Sequence, residues 1–184
     1  MAKVIVVGDG PAGLSAALFT ARGGHETVVY GEDKTAMHYA DLHNYLGIEQ
    51  VLGSDFQRAA RAQVEAAGAT LRDEAVTGIK PHGDGLVVTT ASGQERADYV
   101  VLAGAKPSRR LAEEAGAEVV DGAVVVDGDQ RTSVDRLYAA GRVVRPSRSQ
   151  AVISAGQGAA AALDILAREA GEDVTDWDTP PEEG

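Results

Sequence analysis

Gly8-x-Gly10-x-x-Gly13 is the spacing in this chain of 184 residues whose chemistry can be read from residue types alone. It follows the β-branched apolar run Lys3-Val-Ile-Val-Val7 and precedes an Ala/Leu-rich stretch that ends near Gly23-Gly24. In that setting the first glycine permits a tight turn, and the second lets a pyrophosphate approach the backbone. The third lets a helix pack closely on the strand. Pro11 suits the first helical position, with Ala12 next, and the helix start offers unpaired N–H groups and about half a positive charge to phosphates. Dinucleotide binding is therefore expected, against the alternative of a purely structural turn. The acid that would bind a ribose hydroxyl is due about 20 residues further on. Gly31 stands at the end of the second strand there and Glu32 follows, with a solvated loop carboxylate as the alternative for Glu32.

Other chemistries find little support. The chain has no cysteine, which excludes a disulfide framework, Cys-ligated zinc or iron–sulfur, a thiol nucleophile and a C-x-x-C redox centre within it. His38, Asp41 and His43 fit no standard ligand spacing, so no metal is expected. No Ser–His–Asp set is legible and nothing marks a nucleophile elbow. Tyr39 and Tyr45 are candidates for stacking on a bound ring, with ordinary packing as the alternative. Arg145 and Arg148 are candidates for phosphate or an acidic partner, with solvated loop arginines as the alternative. The pairs Glu113-Glu114 and Glu182-Glu183 read as solvated surface.

The elements that must position these residues follow from hydrophobic period and turn residues. A strand over Lys3–Val7, a helix to Gly23 and a strand over Thr27–Tyr30 make one βαβ unit. Residues 31–53 show no strong period and read as an irregular loop. A helix starts at Ser54 as N-cap, with Phe56, Ala59, Ala60, Val64 and Ala67 on one face and Gly68 at its end. Strands over Thr70–Glu74, Ala75–Lys80, Leu86–Ala91 and Gln94–Asp98 read as an antiparallel meander. The apolar run Tyr99–Ala103 reads as a buried parallel strand. A short helix over Ser108–Ala115, a hairpin around Asp121-Gly122, a core strand over Leu137–Gly141 and a helix over Gln150–Ala170 complete the chain. The fold class is α/β: a Rossmann-like parallel sheet with a βαβ unit plus an antiparallel meander. One domain is expected over 1–171, followed by an acidic loose tail over 172–184.

Composition bounds the partners. Hydrophobic content of 44% and charged content of 24% are those of a globular protein. No apolar run approaches the about 20 residues a bilayer span needs, and nothing resembles a signal peptide. The net charge of −11, from 28 acidic against 17 basic residues, argues against nucleic-acid and anionic-membrane surfaces. With 4 Lys, 13 Arg and 15 Asp, it resembles the surface of proteins from high-salt cytoplasms, a merely soluble acidic protein being the alternative.

From Val4 to about Leu163 the order of segments resembles the FAD-binding domain of low-molecular-weight thioredoxin reductases. Gly8–Gly13 matches the FAD pyrophosphate loop, and Val28-Val-Tyr-Gly-Glu-Asp-Lys34 is similar to the second strand and its turn. Asn44-Tyr-Leu-Gly47 resembles the Asn-aromatic-Pro-Gly motif, and Val101-Leu-Ala-Gly-Ala105 the Ala-Thr-Gly-Ala strand. Thr132-Ser-Val134 with Leu137-Tyr-Ala-Ala-Gly141 resembles the Thr-Ser…Phe-Ala-Ala-Gly-Asp block, and Gln150-Ala151 with Ala155-Gly-x-Gly-Ala159 the helix that follows. The resemblance implies FAD held by Gly8, Gly10, Pro11, Ala12 and Gly13, with Gly31 and Glu32 at the ribose. It implies Val76, Ala103 and Gly104 near the adenine, Asn44 near the flavin ring, and Gly141, Arg142, Gln150 and Ala151 along the rest.

The departures are equally informative. In the family an NADPH-binding domain carrying the C-x-x-C disulfide interrupts the FAD domain. Here Gly104-Ala-Lys-Pro107 passes to Asp121-Gly-Ala-Val124 through one short helix. Arg142 replaces an Asp that accepts a hydrogen bond from the ribityl chain, and a guanidinium accepts none. Contact with the pyrophosphate and obstruction of the groove are the two readings of that arginine. Thr35-Ala36-Met37 replaces Gly-Gly-Gln. The resemblance thus implies a flavoprotein that passes electrons between FAD and an external donor or acceptor protein or small molecule, without disulfide reductase chemistry. The alternatives are a non-catalytic FAD- or ADP-binding module, or the FAD half of an oxidoreductase split over two chains. A cytoplasmic location and a homodimer over an open flavin face are expected.

Overall fold

In the strand Lys3–Val7 (β1), Val4 and Val6 are buried on one face while Ile5 and Val7 are buried on the other. A strand apolar on both sides belongs at the centre of a covered parallel sheet. The structure, a computed structural model, describes residues 1–174. After β1 come α1 (Pro11–Arg22), β2 (Glu26–Tyr30), a 3₁₀ turn (Ala36–Tyr39), β3 (Asp41–Leu42), β4 (Val51–Leu52) and α2 (Gly53–Ala66). Then follow β5 (Thr70–Arg72), β6 (Val76–His82), β7 (Gly85–Thr90), β8 (Gly93–Ala97), β9 (Tyr99–Leu102) and α3 (Lys106–Ala115). The chain continues through β10 (Val119–Val120), β11 (Ala123–Val124), β12 (Leu137–Ala139) and α4 (Ala151–Ala170).

The main sheet has the order β12-β9-β1-β2-β5, all neighbours parallel. A second, three-stranded antiparallel sheet runs β6-β7-β8. Pro81 lies on β6, an edge strand, where the absent N–H costs no ladder bond. The expected four-strand meander is corrected at its start. Thr70–Arg72 pairs in parallel with Val28–Tyr30 and forms the fifth strand of the main sheet. Residues 31–53 are more ordered than a loop, since β3 and β4 form a short antiparallel ladder, Asp41 opposite Leu52 and Leu42 opposite Val51. Two-residue strands carry no period that a sequence can show.

Two cores lie on opposite faces of the sheet. On one, Ile5, Val28, Tyr30, Val100, Leu102 and Leu137 meet Ile79, Leu86 and Val88 of the meander and Leu111 of α3. On the other, Val4, Val6, Val29, Tyr99, Val101 and Tyr138 meet Leu14, Ala16 and Ala17 of α1, Val64 of α2, and Ala161, Ala162 and Ile165 of α4. Gly158 lets α4 settle directly on the start of α1, because a Cβ there would stand 2.0 Å from the Ala12 carbonyl oxygen. Ser54 is not the N-cap of α2; Leu52 occupies that position. Of the expected inner face, Val64 is buried, Phe56, Ala60 and Ala67 are partly buried and Ala59 is exposed, while the polar Gln57 is fully buried beside them.

Polar contacts fasten α4 to the edge of the sheet. The Tyr138 hydroxyl donates to Asp164 Oδ2 at 2.6 Å, Arg131 forms a two-pronged pair with the same carboxylate, and Arg168 Nη2 donates to Asp135 Oδ1 at 2.9 Å. Burial pushes the Asp164 carboxyl up, but the bonds from Arg131 and Tyr138 outweigh it and hold the group below the usual carboxylate range. Among the described residues no helix is long and apolar enough to cross a membrane. The tail expected over 172–184 lies, from 175 onward, outside the described residues.

Candidate functional site

Parallel strands end on the same side, so the loops after β1, β2, β9 and β12 must gather at one edge of the sheet, where open α/β sheets bind ligands. Main-chain bonds tie these loops together. Gly8 N donates to Tyr30 O at 2.8 Å, Ala103 N to Val7 O at 2.8 Å, Ala140 N to Leu102 O at 2.9 Å and Gly31 N to Arg72 O at 3.0 Å. The edge opens into a groove of about 450 Å³. Its walls include Gly8, Gly10 and Pro11 of the glycine loop, Gly31 and Glu32 after β2, Val76 of the meander and Gly104 after β9. Arg142 after β12 and Ala151 at the start of α4 also line it.

The glycine loop is built for close approach. Gly8 has φ +111°, a conformation L side chains rarely adopt, and a Cβ on Gly13 would stand 1.8 Å from the Gly8 carbonyl oxygen. Three helices begin at the groove: α1 after Gly10, α3 after Ala105 and α4 after Gln150. None of the three has a side-chain N-cap bond, so their first-turn amides are not taken up by capping side chains. Backbone donors and helix dipoles directed at one groove suit an extended ligand with a central diphosphate. These residues fit a flavin dinucleotide.

Of the residues singled out from sequence, Gly8, Gly10, Pro11, Gly31, Glu32, Val76, Gly104, Arg142 and Ala151 line the groove. Ala12, Gly13, Ala103 and Gly141 are buried and do not line it. The Gly141 amide is already satisfied by the Gln157 side chain of α4 at 3.0 Å. Asn44 and Gln150, both exposed, meet each other, with Asn44 Nδ2 donating to Gln150 Oε1 at 2.9 Å. That bond ties the β3–β4 hairpin to the start of α4. Arg142 Nε donates to Ser149 Oγ at 3.1 Å, and the residue is exposed while lining the groove. Glu32 is exposed and paired with Lys34 at 2.8 Å, and that partner raises the Lys34 ammonium.

Sequence reasoning missed the cluster behind Gly31. Asp9 is 5% exposed and ion-paired with Arg61, and its second hydrogen bond comes from Asp33 N at 3.0 Å. Gln57 Nε2 donates to the Asp9 carbonyl at 2.7 Å and to Asp33 Oδ1 at 3.2 Å. A buried polar glutamine inside an otherwise apolar helix face was the signal available. Tyr45 packs on Phe56 with ring centroids 5.5 Å apart, and Tyr39 is 94% exposed, so neither ring covers the groove. His38 bonds Asp33 and His43 lies 3.1 Å from Asp41, and among the described residues no three His, Asp or Glu converge as a metal site would require.

Comparison with known proteins agrees with this geometry. Residues 42–159 match the family described as pyridine nucleotide-disulphide oxidoreductase. Thioredoxin reductase of Streptomyces clavuligerus is 35% identical over 115 residues, which are 59% of this chain and 36% of that protein. Dihydrolipoyl dehydrogenase of Haloferax volcanii is 32% identical over 183 residues, 94% of this chain and 35% of that one. The chain therefore spans little more than a third of the length of these relatives. Among solved structures, a thioredoxin reductase from Gloeobacter violaceus superposes with a TM-score of 0.83 at 18% identity, over 100% of this chain and 98% of that one. The atypical thioredoxin reductase of Desulfovibrio vulgaris Hildenborough superposes with a TM-score of 0.82 at 19% identity, over 92% and 99%.

Proposed function

The chain belongs to the pyridine nucleotide-disulphide oxidoreductase family, as a thioredoxin-reductase-like FAD-binding flavoprotein domain, and from that premise we propose that it passes electrons between FAD and an external donor and acceptor. Having no cysteine, it performs no dithiol chemistry itself. When bound, FAD supplies the redox chemistry, while the protein supplies position and electrostatics. The glycine loop and the start of α1 would hold the diphosphate through main-chain N–H groups. The start of α4 at Ala151 would favour negative charge on the reduced ring by about 0.3–1 kcal/mol. Val76 and Gly104 would border the adenine, and Arg142 would reach the diphosphate with a charge-assisted bond.

The observation that carries this reading is the convergence of the glycine loop and three uncapped helix starts on one groove. The test is an absorbance spectrum of the purified protein before and after reductant. Flavin bands that bleach with NAD(P)H or a reduced ferredoxin, and return with an acceptor, are expected. Colourless protein that also refuses added FAD overturns it. Arg142, in place of an acceptor, favours a second reading, a non-catalytic FAD- or ADP-binding module or the FAD half of a split oxidoreductase. Bound flavin that no donor bleaches would establish it. The reading includes a cytoplasmic site of action in a high-salt organism, supported by the acidic excess. It also includes a homodimer, supported by the exposed Tyr39, Leu46 and Leu52 of one hairpin region.

A further inference from the structure

A carboxylate recognises a ribose diol because its oxygens accept hydrogen bonds from the hydroxyls, and dinucleotide folds usually supply it from the end of the second strand. Here the second strand ends at Tyr30, whose hydroxyl is engaged with Glu95 and Arg72, and the next residue is Gly31. A Cβ built on Gly31 would stand 2.3 Å from Asp9 Cγ and 2.6 Å from Asp9 Oδ1. The volume that a side chain at 31 would enter is thus already filled by the carboxylate of Asp9, which arrives from the loop after β1. Asp9 borders the groove together with Gly31 while remaining 5% exposed.

The carboxylate is fixed in orientation. Both its donors, Arg61 Nη1 and Asp33 N, bind Oδ2, and Oδ1 takes part in neither contact. Gln57, itself fully buried, braces both ends of the arrangement through the Asp9 carbonyl and Asp33 Oδ1. Glu32, by contrast, is exposed and occupied with Lys34. We infer that Asp9 is the ribose-binding acid of this chain, supplied from within the glycine loop, and that Gly31 is glycine to admit it. The inference rests on the proposed binding of FAD in this groove.

Calorimetric titration of the full chain with ADP and with 2′-deoxy-ADP tests it. Wild type is expected to prefer ADP by about tenfold, one hydrogen bond to a charged acceptor. Asp9→Asn should bring the two ligands within about twofold of each other, and Glu32→Gln should keep the wild-type preference. Equal weakening of both ligands in Asp9→Asn would mean that Asp9 only braces the loop, and loss of preference in Glu32→Gln would hand the role to Glu32. Either result overturns the inference while leaving FAD binding intact. Wild type that binds neither ADP nor FAD overturns the functional reading and this inference together. Should Asp9→Asn fail to fold, Asp9→Gly combined with Gly31→Glu decides, the glycine being needed because a Cβ on residue 31 would stand 2.6 Å from that of Asp9. A restored preference for ADP supports the exchange of acids, and its absence refutes it.

Discussion

Arg142 carries the sharpest question at the scale of single residues. It lines the groove, is exposed, and is held by Ser149 rather than by an acid. A guanidinium so placed is available to an anionic ligand, and a hydrogen bond to a charged group contributes about 1.5–3 kcal/mol. Arg142→Ala is therefore expected to weaken FAD about tenfold or more in equilibrium titration. Unchanged or tighter binding would show that the side chain obstructs the groove instead. Part of the groove's lining was legible: Gly8 and Gly10 announce themselves by spacing, and Gly104 and Ala151 by the segments around them. Asp9 was not, because an acid inside a glycine loop is adjacent in sequence to nothing that explains it. Its partners Gln57 and Arg61 lie on another helix and become neighbours only after folding.

At the scale of elements, long periodic segments were readable and short ones were not. The apolar runs at Lys3–Val7 and Tyr99–Leu102 and the helices of α1 and α4 stand where hydrophobic pattern and terminal glycines put them. The three residues of β5 carry too little pattern to distinguish a meander from a sheet edge, and their placement is decided by pairing with β2. The helix α2 was legible too, Val64 included, but its cap and the burial of Gln57 were not, since the partners of Gln57 are the Asp9 carbonyl and Asp33. The contact between α1 and α4 makes a direct prediction. Gly158→Ala places a methyl against the Ala12 carbonyl. It is expected to cost about 1–3 kcal/mol as overpacking, read as a lower urea midpoint. An unchanged midpoint would show that the two helices separate freely.

For the whole molecule, the bonds around Asp164 join the last helix to the strand β12 and to the loop before it. Its depressed carboxyl contributes stability above the ordinary carboxylate value of about 4, and loses that contribution as pH falls through the lower folded value. The gap in urea midpoint between wild type and Asp164→Asn is therefore expected to be steady from about pH 5 to 7 and to close below about pH 4. A gap independent of pH would assign the effect to packing. Connectivity adds a second whole-molecule feature, since residues 103–136 bridge β9 to β12 through α3 and the β10–β11 hairpin alone. The three helix starts that meet at the groove have a consequence for life in the cell. An N-cap bond is worth about 0.5–2 kcal/mol, and here none is supplied by a side chain. On the proposed reading, a bound diphosphate would offer these helix starts acceptors that no side chain offers. Freshly synthesised chain that has not met its flavin should be the softer form, the one degraded first, so that vitamin supply itself would set how much of this protein persists.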